Sequence, residues 1–179
     1  MVTQYKNILS DELYIELVEY VNKLIKDKSN NFTTSNLIWQ EGLRGNSTPI
    51  SRYVFDKRDD DITIKIKKEI EDKTEYFVES FCLHLWPNLS YITWHNDTHV
   101  KAALTLYLNE NWDDNWGGFL MYLDTTDTTI KAIKPEKNMG LLQENGVIHS
   151  VTTINIGADM RISLQFFLKE KLKKVKTIL

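Results

Sequence analysis

The sequence predicts an α+β fold that is mainly β, with helices flanking the strands. The first 80 residues contain two stretches of helical hydrophobic periodicity, and the period changes near Phe81. From there to Lys169, about eight short apolar runs alternate with turn residues. Strands that follow a pair of helices favour a β-sandwich or barrel braced by helices on one face.

The first predicted helix follows Ser10, which is a suitable N-cap residue. Lys26 and Lys28 in its last turn suit the negative end of the helix dipole. Apolar residues recur at helical spacing at Leu13, Leu17, Val18, Val21, Leu24 and Ile25. We therefore expect a helix with one buried face.

A second helix is predicted for residues 61–80. Its buried stripe would consist of Ile62, Ile66, Ile70, Phe77 and Val78. Between the helices, residues 29–60 are polar and irregular, with Gly42, Gly45 and Pro49 as breakers. Because a connection of this length is often a lid or binding loop, we expect it to lie over the mouth of the β structure.

The predicted strands are short and are bounded by glycine, proline and asparagine. They cover residues 81–86, 91–94, 102–109, 119–123, 129–133, 139–143, 147–154 and 161–168. The Asn145-Gly146 pair between apolar runs is a strong hairpin signal. We expect one domain over residues 1–179, because this length holds one core but not two. Residues 1–80 would supply helical support and a substrate loop, and residues 81–168 the β core.

Composition restricts the class of partner. The formal net charge of −3 gives no field that would attract nucleic acid or an anionic membrane. Cys82 is the only cysteine, so no intramolecular disulfide can form, and no leader or membrane-spanning run is visible. We expect a cytoplasmic protein, and the oligomeric state stays open. The lysine-rich residues 169–179 suggest a solvated end, with a docking patch for an acidic partner as the alternative.

The stretch from Tyr91 to Asp97 contains the first chemical signal. His95 and Asp97 are two residues apart, so on an extended chain both side chains point the same way. His149 lies in a run of β-branched residues and is the candidate third ligand. Two histidines and one carboxylate form the facial triad of non-haem iron(II) oxygenases, which leaves metal positions open. The alternative is a surface turn at His95 and Asp97, with His149 as a core histidine.

Arg161 lies twelve residues after His149, on the next predicted strand. A 2-oxoacid can fill two open metal positions, and its far carboxylate then needs a cation. A guanidinium fork can hold a carboxylate with two parallel hydrogen bonds, which lysine cannot do. Ser163 is on the same strand face and could add a further hydrogen bond.

Five blocks of sequence occur in order. They are His95-x-Asp97, Leu106-Tyr107-Leu108-Asn109-x-x-Trp112, Trp116-Gly117-Gly118-Phe119-Leu120, His149-Ser150-Val151 and Arg161-Ile162-Ser163-Leu164. Together they resemble the prolyl-4-hydroxylase-like branch of the Fe(II)- and 2-oxoglutarate-dependent oxygenases. The resemblance implies a double-stranded β-helix, a jelly-roll or cupin-like core. It assigns the iron to His95, Asp97 and His149, and the carboxylate of 2-oxoglutarate to Arg161.

The same resemblance implies Fe(II), 2-oxoglutarate and O2, and allows ascorbate as an auxiliary reductant. The expected reaction is hydroxylation of an unactivated C–H bond, coupled to conversion of 2-oxoglutarate to succinate and carbon dioxide. Two positions depart from the family pattern. Trp86 stands where many relatives have a cosubstrate-binding tyrosine, and Leu106 where some have another. Both are expected to border the cosubstrate, and Trp86 can only donate, from its indole N–H.

The expected substrate is a prolyl residue in a peptide or protein, or a free amino acid. Arg52 and Tyr53 are the candidate contacts, since arginine could hold a substrate carboxylate and tyrosine could pack on a proline ring. The alternative is that Tyr53 and Phe55 fill the core from an edge strand while Arg52 is solvated. Two other functions stay open: a zinc hydrolase or cupin-like metal protein using His95, His99 and His149, and a non-catalytic binding module. His84 is interpreted as a packing residue.

Overall fold

The structure is a computed structural model that describes residues 1–27, 32–35, 38–39, 45–46, 48–55, 60–144 and 146–171. Two α-helices cover Asp11–Lys26 (α1) and Asp61–Lys73 (α2), and a short 3-10 helix covers Asp114–Trp116. The N-terminal strands are Val2–Tyr5 (β1), Thr33–Ser35 (β2), Ile38–Trp39 (β3), Gly45–Asn46 (β4) and Ile50–Val54 (β5). The later strands are Tyr76–Trp86 (β6), Ile92–His95 (β7), Ala102–Tyr107 (β8), Leu120–Asp124 (β9), Thr129–Ile133 (β10), Gly140–Glu144 (β11), His149–Val151 (β12) and Arg161–Glu170 (β13).

The strands form two main antiparallel sheets. The large sheet has seven strands in the order β1-β11-β8-β13-β6-β5-β2, and the small sheet has four in the order β10-β9-β12-β7. Apart from the β9–β10 hairpin, consecutive strands from β6 to β13 alternate between the two sheets, as in a jelly roll. The predicted mainly β fold with flanking helices is therefore confirmed.

Apolar side chains form a core on each face of the large sheet. The helix-side core, between this sheet and the helices, includes Leu17, Ile66, Ile70, Leu83, Leu104, Leu164 and Phe166. The inter-sheet core, between the two sheets, includes Trp86, Ile92, Tyr107, Leu120, Leu141 and Val151. Because side chains alternate along a strand, each central strand contributes to both cores.

Helix α1 agrees with its sequence signals except at the cap. Ser10 is the N-cap residue, but its side chain makes no cap hydrogen bond. Its backbone N–H and hydroxyl instead donate to the carboxylate of Glu69 in α2, at 2.8 and 2.7 Å. The two helices are thus joined by polar bonds at the point where α1 begins. No helix in the described ranges is long and apolar enough to cross a membrane.

The predicted second helix is too long. It ends at Lys73, and the residues from Tyr76 onward belong to strand β6. Val78 is buried while Phe77 is 41% exposed, which is the alternation of a strand. The error arose because Phe77 and Val78 also fit the helical spacing that Ile62, Ile66 and Ile70 establish. Pairing of β6 with β13, a long-range interaction, decides the conformation.

All eight predicted strands of the second half have counterparts in β6 to β13. The region 29–60, predicted to be irregular, contributes β5 to the large sheet, where Arg52 pairs with His84. Much of this region lies outside the described residues, including Gly42 and Arg44. The same is true of Asn145 and residues 172–179. Gly146 has a φ of +82°, the conformation that a hairpin glycine adopts.

Candidate active site

His95, Asp97 and His149 are brought together by neighbouring strands of the small sheet. His95 ends β7, His149 begins β12, and the two residues are opposite each other in register. One candidate ligand atom from each of the three residues lies within 4.8 Å of the others. His149 Nε2 is 3.7 Å from Asp97 Oδ2, and the imidazole centroids are 4.1 Å apart. Small side-chain adjustments would place all three at metal–ligand distances of about 2.0–2.2 Å.

The two histidines are oriented by the same local hydrogen bond. Nδ1 of His95 is 2.8 Å from the carbonyl oxygen of Thr93, and Nδ1 of His149 is 2.9 Å from that of Val147. A carbonyl oxygen can only accept, so each Nδ1 carries the proton and donates it. In this tautomer Nε2 carries the lone pair, which is the form that a metal ligand needs.

Electrostatics favour the neutral form of His95. Burial, followed by the neighbouring His149, lowers the pKa of His95 to about 4. A neutral imidazole at pH 7 needs no deprotonation before it binds a metal. Two imidazoles and one carboxylate match the facial triad, so the donor set fits iron(II).

His99 does not join this group. Among the described residues, the cluster able to hold a metal consists of His95, Asp97 and His149. The ring of His99 instead lies 6.0 Å from that of Phe167. The geometry therefore does not favour the zinc set of His95, His99 and His149.

A cavity between the two sheets opens beside the three ligands. It is lined by His84, Trp86, Ile92, His95, Asp97, Thr105, Leu120, Gln143, His149, Val151, Arg161, Ser163, Gln165 and Phe167. His84, interpreted from sequence as a packing residue, is buried but borders this space, with Cys82 Sγ 3.2 Å from its Nε2. Burial, then Arg52 and Arg161, lower the pKa of His84 to about 3, so it is neutral at physiological pH.

Arg161 is held between two aromatic rings at one end of the cavity. Its guanidinium carbon is 4.8 Å from the ring centroid of Trp86 and 5.0 Å from that of Tyr107. The residue is only 1% exposed, yet its Nε and Nη1 atoms have no hydrogen-bond partner. Because an unpaired buried cation is costly, these unused donors leave the guanidinium available to bind a carboxylate.

Ser163 and Trp86 form a fixed pair beside this arginine. The indole N–H of Trp86 donates to Ser163 Oγ at 3.3 Å. Since this bond uses Ser163 as an acceptor, the hydroxyl proton of Ser163 is left to donate elsewhere. Trp86, predicted as a direct cosubstrate contact, thus also orients Ser163.

Leu106 does not border the cavity, contrary to prediction. It is fully buried in the helix-side core, because residues 104 and 106 face the helices. The next residue, Tyr107, faces the inter-sheet space opposite Ser163. Its buried hydroxyl has no partner, and Arg161 packs on its ring. Because side chains alternate along a strand and Thr105 lines the cavity, Tyr107 should face the same side. The family pattern instead indicated Leu106, its neighbour.

The Gly117-Gly118 turn supports Arg161 from outside. Both glycines have positive φ, and the indole N–H of Trp112 donates to the carbonyl of Gly117 at 2.8 Å. A Cβ at Gly118 would lie 3.1 Å from Trp112 and Ile154 and 3.4 Å from Arg161 Cδ. The glycine therefore allows the loop to pack directly on the arginine side chain.

The predicted substrate residues separate onto opposite faces of β5. Tyr53 packs on the helix-side core, with its ring 5.3 Å from Phe55 and 5.4 Å from Phe32. The structure therefore does not bring Tyr53 to the cavity, and the alternative expectation of a packing role fits its position. Arg52 is opposite His84 in register, so it shares the cavity-facing side of the sheet.

A family model described as the 2OG-Fe(II) oxygenase superfamily matches residues 82–169, the segment that contains all three candidate ligands and Arg161. This segment belongs to the 2OG-Fe(II) oxygenase superfamily. The chain is therefore a dioxygenase that uses Fe(II), 2-oxoglutarate and O2. Among curated protein sequences, none is significantly similar to it.

Solved structures support the fold of this oxygenase. A Pseudomonas putida prolyl-4-hydroxylase is similar with a TM-score of 0.68 and 17% identity, over 95% of this chain and 92% of that one. A Trichoplax adhaerens prolyl hydroxylase, in complex with a hypoxia inducible factor peptide fragment, is similar with a TM-score of 0.73 and 16% identity. The match covers 94% of this chain and 83% of that one. The epimerase SnoN, in complex with Fe3+, alpha ketoglutarate and nogalamycin RO, is similar with a TM-score of 0.65 and 9% identity. The match covers 94% of this chain and 78% of that one.

Proposed function

We propose that His95, Asp97 and His149 hold the iron of this oxygenase and that Arg161 anchors the C5 carboxylate of 2-oxoglutarate. We further propose that the enzyme hydroxylates a prolyl residue in a peptide or protein, or a free amino acid. The observation that supports this most directly is the coexistence, in one cavity, of a facial His-Asp-His set and an unpaired buried arginine.

The proposed roles follow from the donors available at each end of the cavity. Asp97 neutralises one charge of the metal ion, while the Nδ1–H bonds to Thr93 and Val147 hold the two imidazoles in place. At the other end, Arg161 would give two parallel N–H bonds to the far carboxylate. Ser163 and Tyr107 each have a hydroxyl available as a further donor.

Iron with 2-oxoglutarate and O2 supplies the oxidising power for C–H hydroxylation, and the cosubstrate leaves as succinate and carbon dioxide. The protein's own contribution is position and exclusion of water. The apolar residues Ile92, Leu120 and Val151 line the cavity beside the ligands and keep it poor in water. Arg161 would hold the far carboxylate of 2-oxoglutarate at the end of the cavity away from His95, Asp97 and His149.

The prolyl part of the proposal rests on fold likeness. Two of the similar structures are prolyl hydroxylases, and one of them holds a peptide. In this chain the cavity contains the aromatic ring of Phe167, near His99, which could pack against an apolar ring such as that of proline.

The decisive experiment is an anaerobic titration with Fe(II) and 2-oxoglutarate, followed by the metal-to-ligand charge-transfer absorption. We expect the wild-type protein to develop the band with one equivalent of each. His149→Ala should lose it together with iron binding, because two remaining ligands hold the metal weakly. His99→Ala is the matched control and should retain it. A wild-type protein without the band, or His149→Ala with full iron binding and turnover, would contradict the proposed site.

The prolyl assignment needs a separate measurement. Succinate formation should rise above the slow uncoupled rate when proline-containing peptides or free proline are added. If no proline-containing compound couples succinate formation to oxygen insertion, the prolyl proposal is wrong while the iron and cosubstrate sites can still stand.

A further inference from the structure

Arg52 is a second cation on the cavity-facing side of the large sheet. It lies on β5, directly opposite His84 of β6. Cross-strand neighbours of this kind have Cβ atoms about 5 Å apart and point the same way. Since His84 lines the cavity, Arg52 lies on the same face of the sheet, beside the cavity on its β5 side.

The guanidinium of Arg52 is only partly satisfied by the described residues, with the Cys82 side chain as a hydrogen-bond partner. Its Nε atom is buried without a hydrogen bond. No carboxylate of the described residues lies within ion-pair distance of it. By contrast, Lys65, Lys131, Lys134 and Lys137 all have carboxylate partners within 3.3 Å. Arg52 thus resembles Arg161 in having unused donors.

The neighbours of Arg52 do not compensate its charge. The pKa of His84 is lowered by burial and by both arginines, so His84 is neutral. The pKa of the Cys82 thiol is raised by burial, although Arg52 opposes this, so the thiol stays protonated. Asp97 is the only carboxylate among the residues that line the cavity in the described part of the chain.

Charge balance in the loaded enzyme leaves Arg52 unmatched. In an enzyme loaded as proposed, Asp97 and the C1 carboxylate of 2-oxoglutarate would offset the two positive charges of Fe(II). The C5 carboxylate would offset Arg161. One positive charge then remains, and it belongs to Arg52, two strands from β13 across the sheet, a lateral distance of roughly 10 Å.

We propose that Arg52 binds a carboxylate of the primary substrate, so that the enzyme selects carboxylate-bearing substrates. This inference rests on the proposed function, because it takes Arg161 as the cosubstrate anchor. The carboxylate would lie on the β5 side of the cavity, beside His84. It could be the carboxylate of an amino acid itself or an acidic side chain next to the hydroxylated residue in a peptide.

Two pairs of compounds distinguish these sources. N-acetyl-L-proline and its amide differ in the carboxylate of the amino acid itself. N-acetyl-Asp-Pro-amide and N-acetyl-Asn-Pro-amide differ in the neighbouring side chain. Binding of each is measured by anaerobic calorimetry to protein loaded with Fe(II) and 2-oxoglutarate, so that the readout does not depend on turnover.

In the wild type, one acid should bind about 10- to 100-fold more tightly than its amide, as expected for a charge-assisted hydrogen bond. In Arg52→Gln this ratio should fall to near one, and Arg52→Lys should restore part of it. Lys101→Gln removes the same charge from the exposed surface and is the matched control, with the ratio unchanged. The charge-transfer band shows that each variant is folded and loaded.

The outcomes separate this inference from the proposed function. A wild-type protein without the band contradicts the proposed function. If the band forms but neither acid binds more tightly than its amide, only the role of Arg52 is overturned. The same conclusion follows if none of the four compounds binds. The same holds if the preference persists in Arg52→Gln. If Arg52→Gln weakens 2-oxoglutarate binding as much as Arg161→Gln does, Arg52 belongs to the cosubstrate site and the inference is wrong.

Discussion

Strand β13 has two faces with opposite chemistry. Towards the helices it presents Ile162, Leu164, Phe166 and Leu168, which all belong to or pack against the helix-side core. Towards the small sheet it presents Arg161, Ser163, Gln165 and Phe167, which line the cavity. The same ten-residue strand therefore contributes to stability on one face and to the proposed chemistry on the other.

The difference lies in how polar groups are satisfied. On the helix side, Phe166 is fully buried and stacks on Phe81 with ring centroids 5.0 Å apart. On the cavity side, Arg161 and Tyr107 leave buried donors unpaired. Unpaired buried donors reduce the stability of the ligand-free protein, so their presence points to a ligand that completes them.

The largest expected effect on stability is that of Phe166, and the adjacent Phe167 is its comparison on the opposite face. Phe166→Ala should lower the free energy of unfolding by about 3–5 kcal/mol, because it leaves a cavity in a close-packed core. Phe167→Ala removes a half-buried ring that lines the open cavity and should cost about 1 kcal/mol. Urea unfolding of the metal-free proteins measures both, and equal losses would show that the two faces do not differ as described.

Arg161→Ala should have a comparable effect on ligand binding but not on stability. Losing a bidentate contact should weaken 2-oxoglutarate binding by about 100-fold, near 3 kcal/mol, while iron still binds. Lysine should restore binding only in part, since it lacks the fork. The metal-free variant should lose less stability than Phe166→Ala, because the lost packing on Trp86 and Tyr107 is offset by removal of a buried cation with unpaired donors. Unchanged dependence on 2-oxoglutarate would mean that another cation, such as Arg52 or Lys101, anchors the cosubstrate.

His84 should make stability depend on pH. Its pKa is about 3 in the folded protein and about 6.5 when unfolded, so only the unfolded state gains a proton as pH falls through 6.5. The wild-type protein should lose about 2 kcal/mol from this group between pH 7 and pH 5. In His84→Asn, the free energy of unfolding should lack this part of its dependence on pH. His95 is present in both proteins, so its contribution cancels in the comparison. Parallel stability curves for the two metal-free proteins would contradict the assignment.

The smallest expected effect belongs to the turn that packs on Arg161. Gly118→Ala should destabilise the protein by about 1–2 kcal/mol, because it places a Cβ at positive φ. It also presses on Arg161 Cδ, so the affinity for 2-oxoglutarate should fall slightly. Gly157→Ala is the control, since its φ is also positive but a Cβ there meets nothing within 4 Å. Identical 2-oxoglutarate affinity in both variants would argue against contact between the turn and the arginine site.

Where the sequence analysis failed, the cause was a long-range interaction. Residues 74–80 fit a helical period, but pairing with β13 extended β6 back to Tyr76. Leu106 was chosen over Tyr107 by spacing, although the register of β8 against β13 places Tyr107 opposite Ser163. The sequence predicts Arg52 as a substrate contact in a loop. Only the pairing of β5 with β6 shows which face of the sheet Arg52 occupies.

The sequence by itself determined the strand positions of the β core and the shared orientation of His95 and Asp97, because these depend on local spacing. The resemblance carried by five ordered blocks added His149 and Arg161. Side chains two residues apart on a strand lie on the same face of the sheet, whichever strand is the partner. The tertiary structure decided which faces meet. It places His95 opposite His149 and encloses Arg161 between Tyr107 and Trp86. It also puts Arg52 on the cavity-facing side of the sheet while Tyr53 packs against the helices. Strand order and register are set by contacts between residues far apart in the chain, and local periodicity carries no information about them.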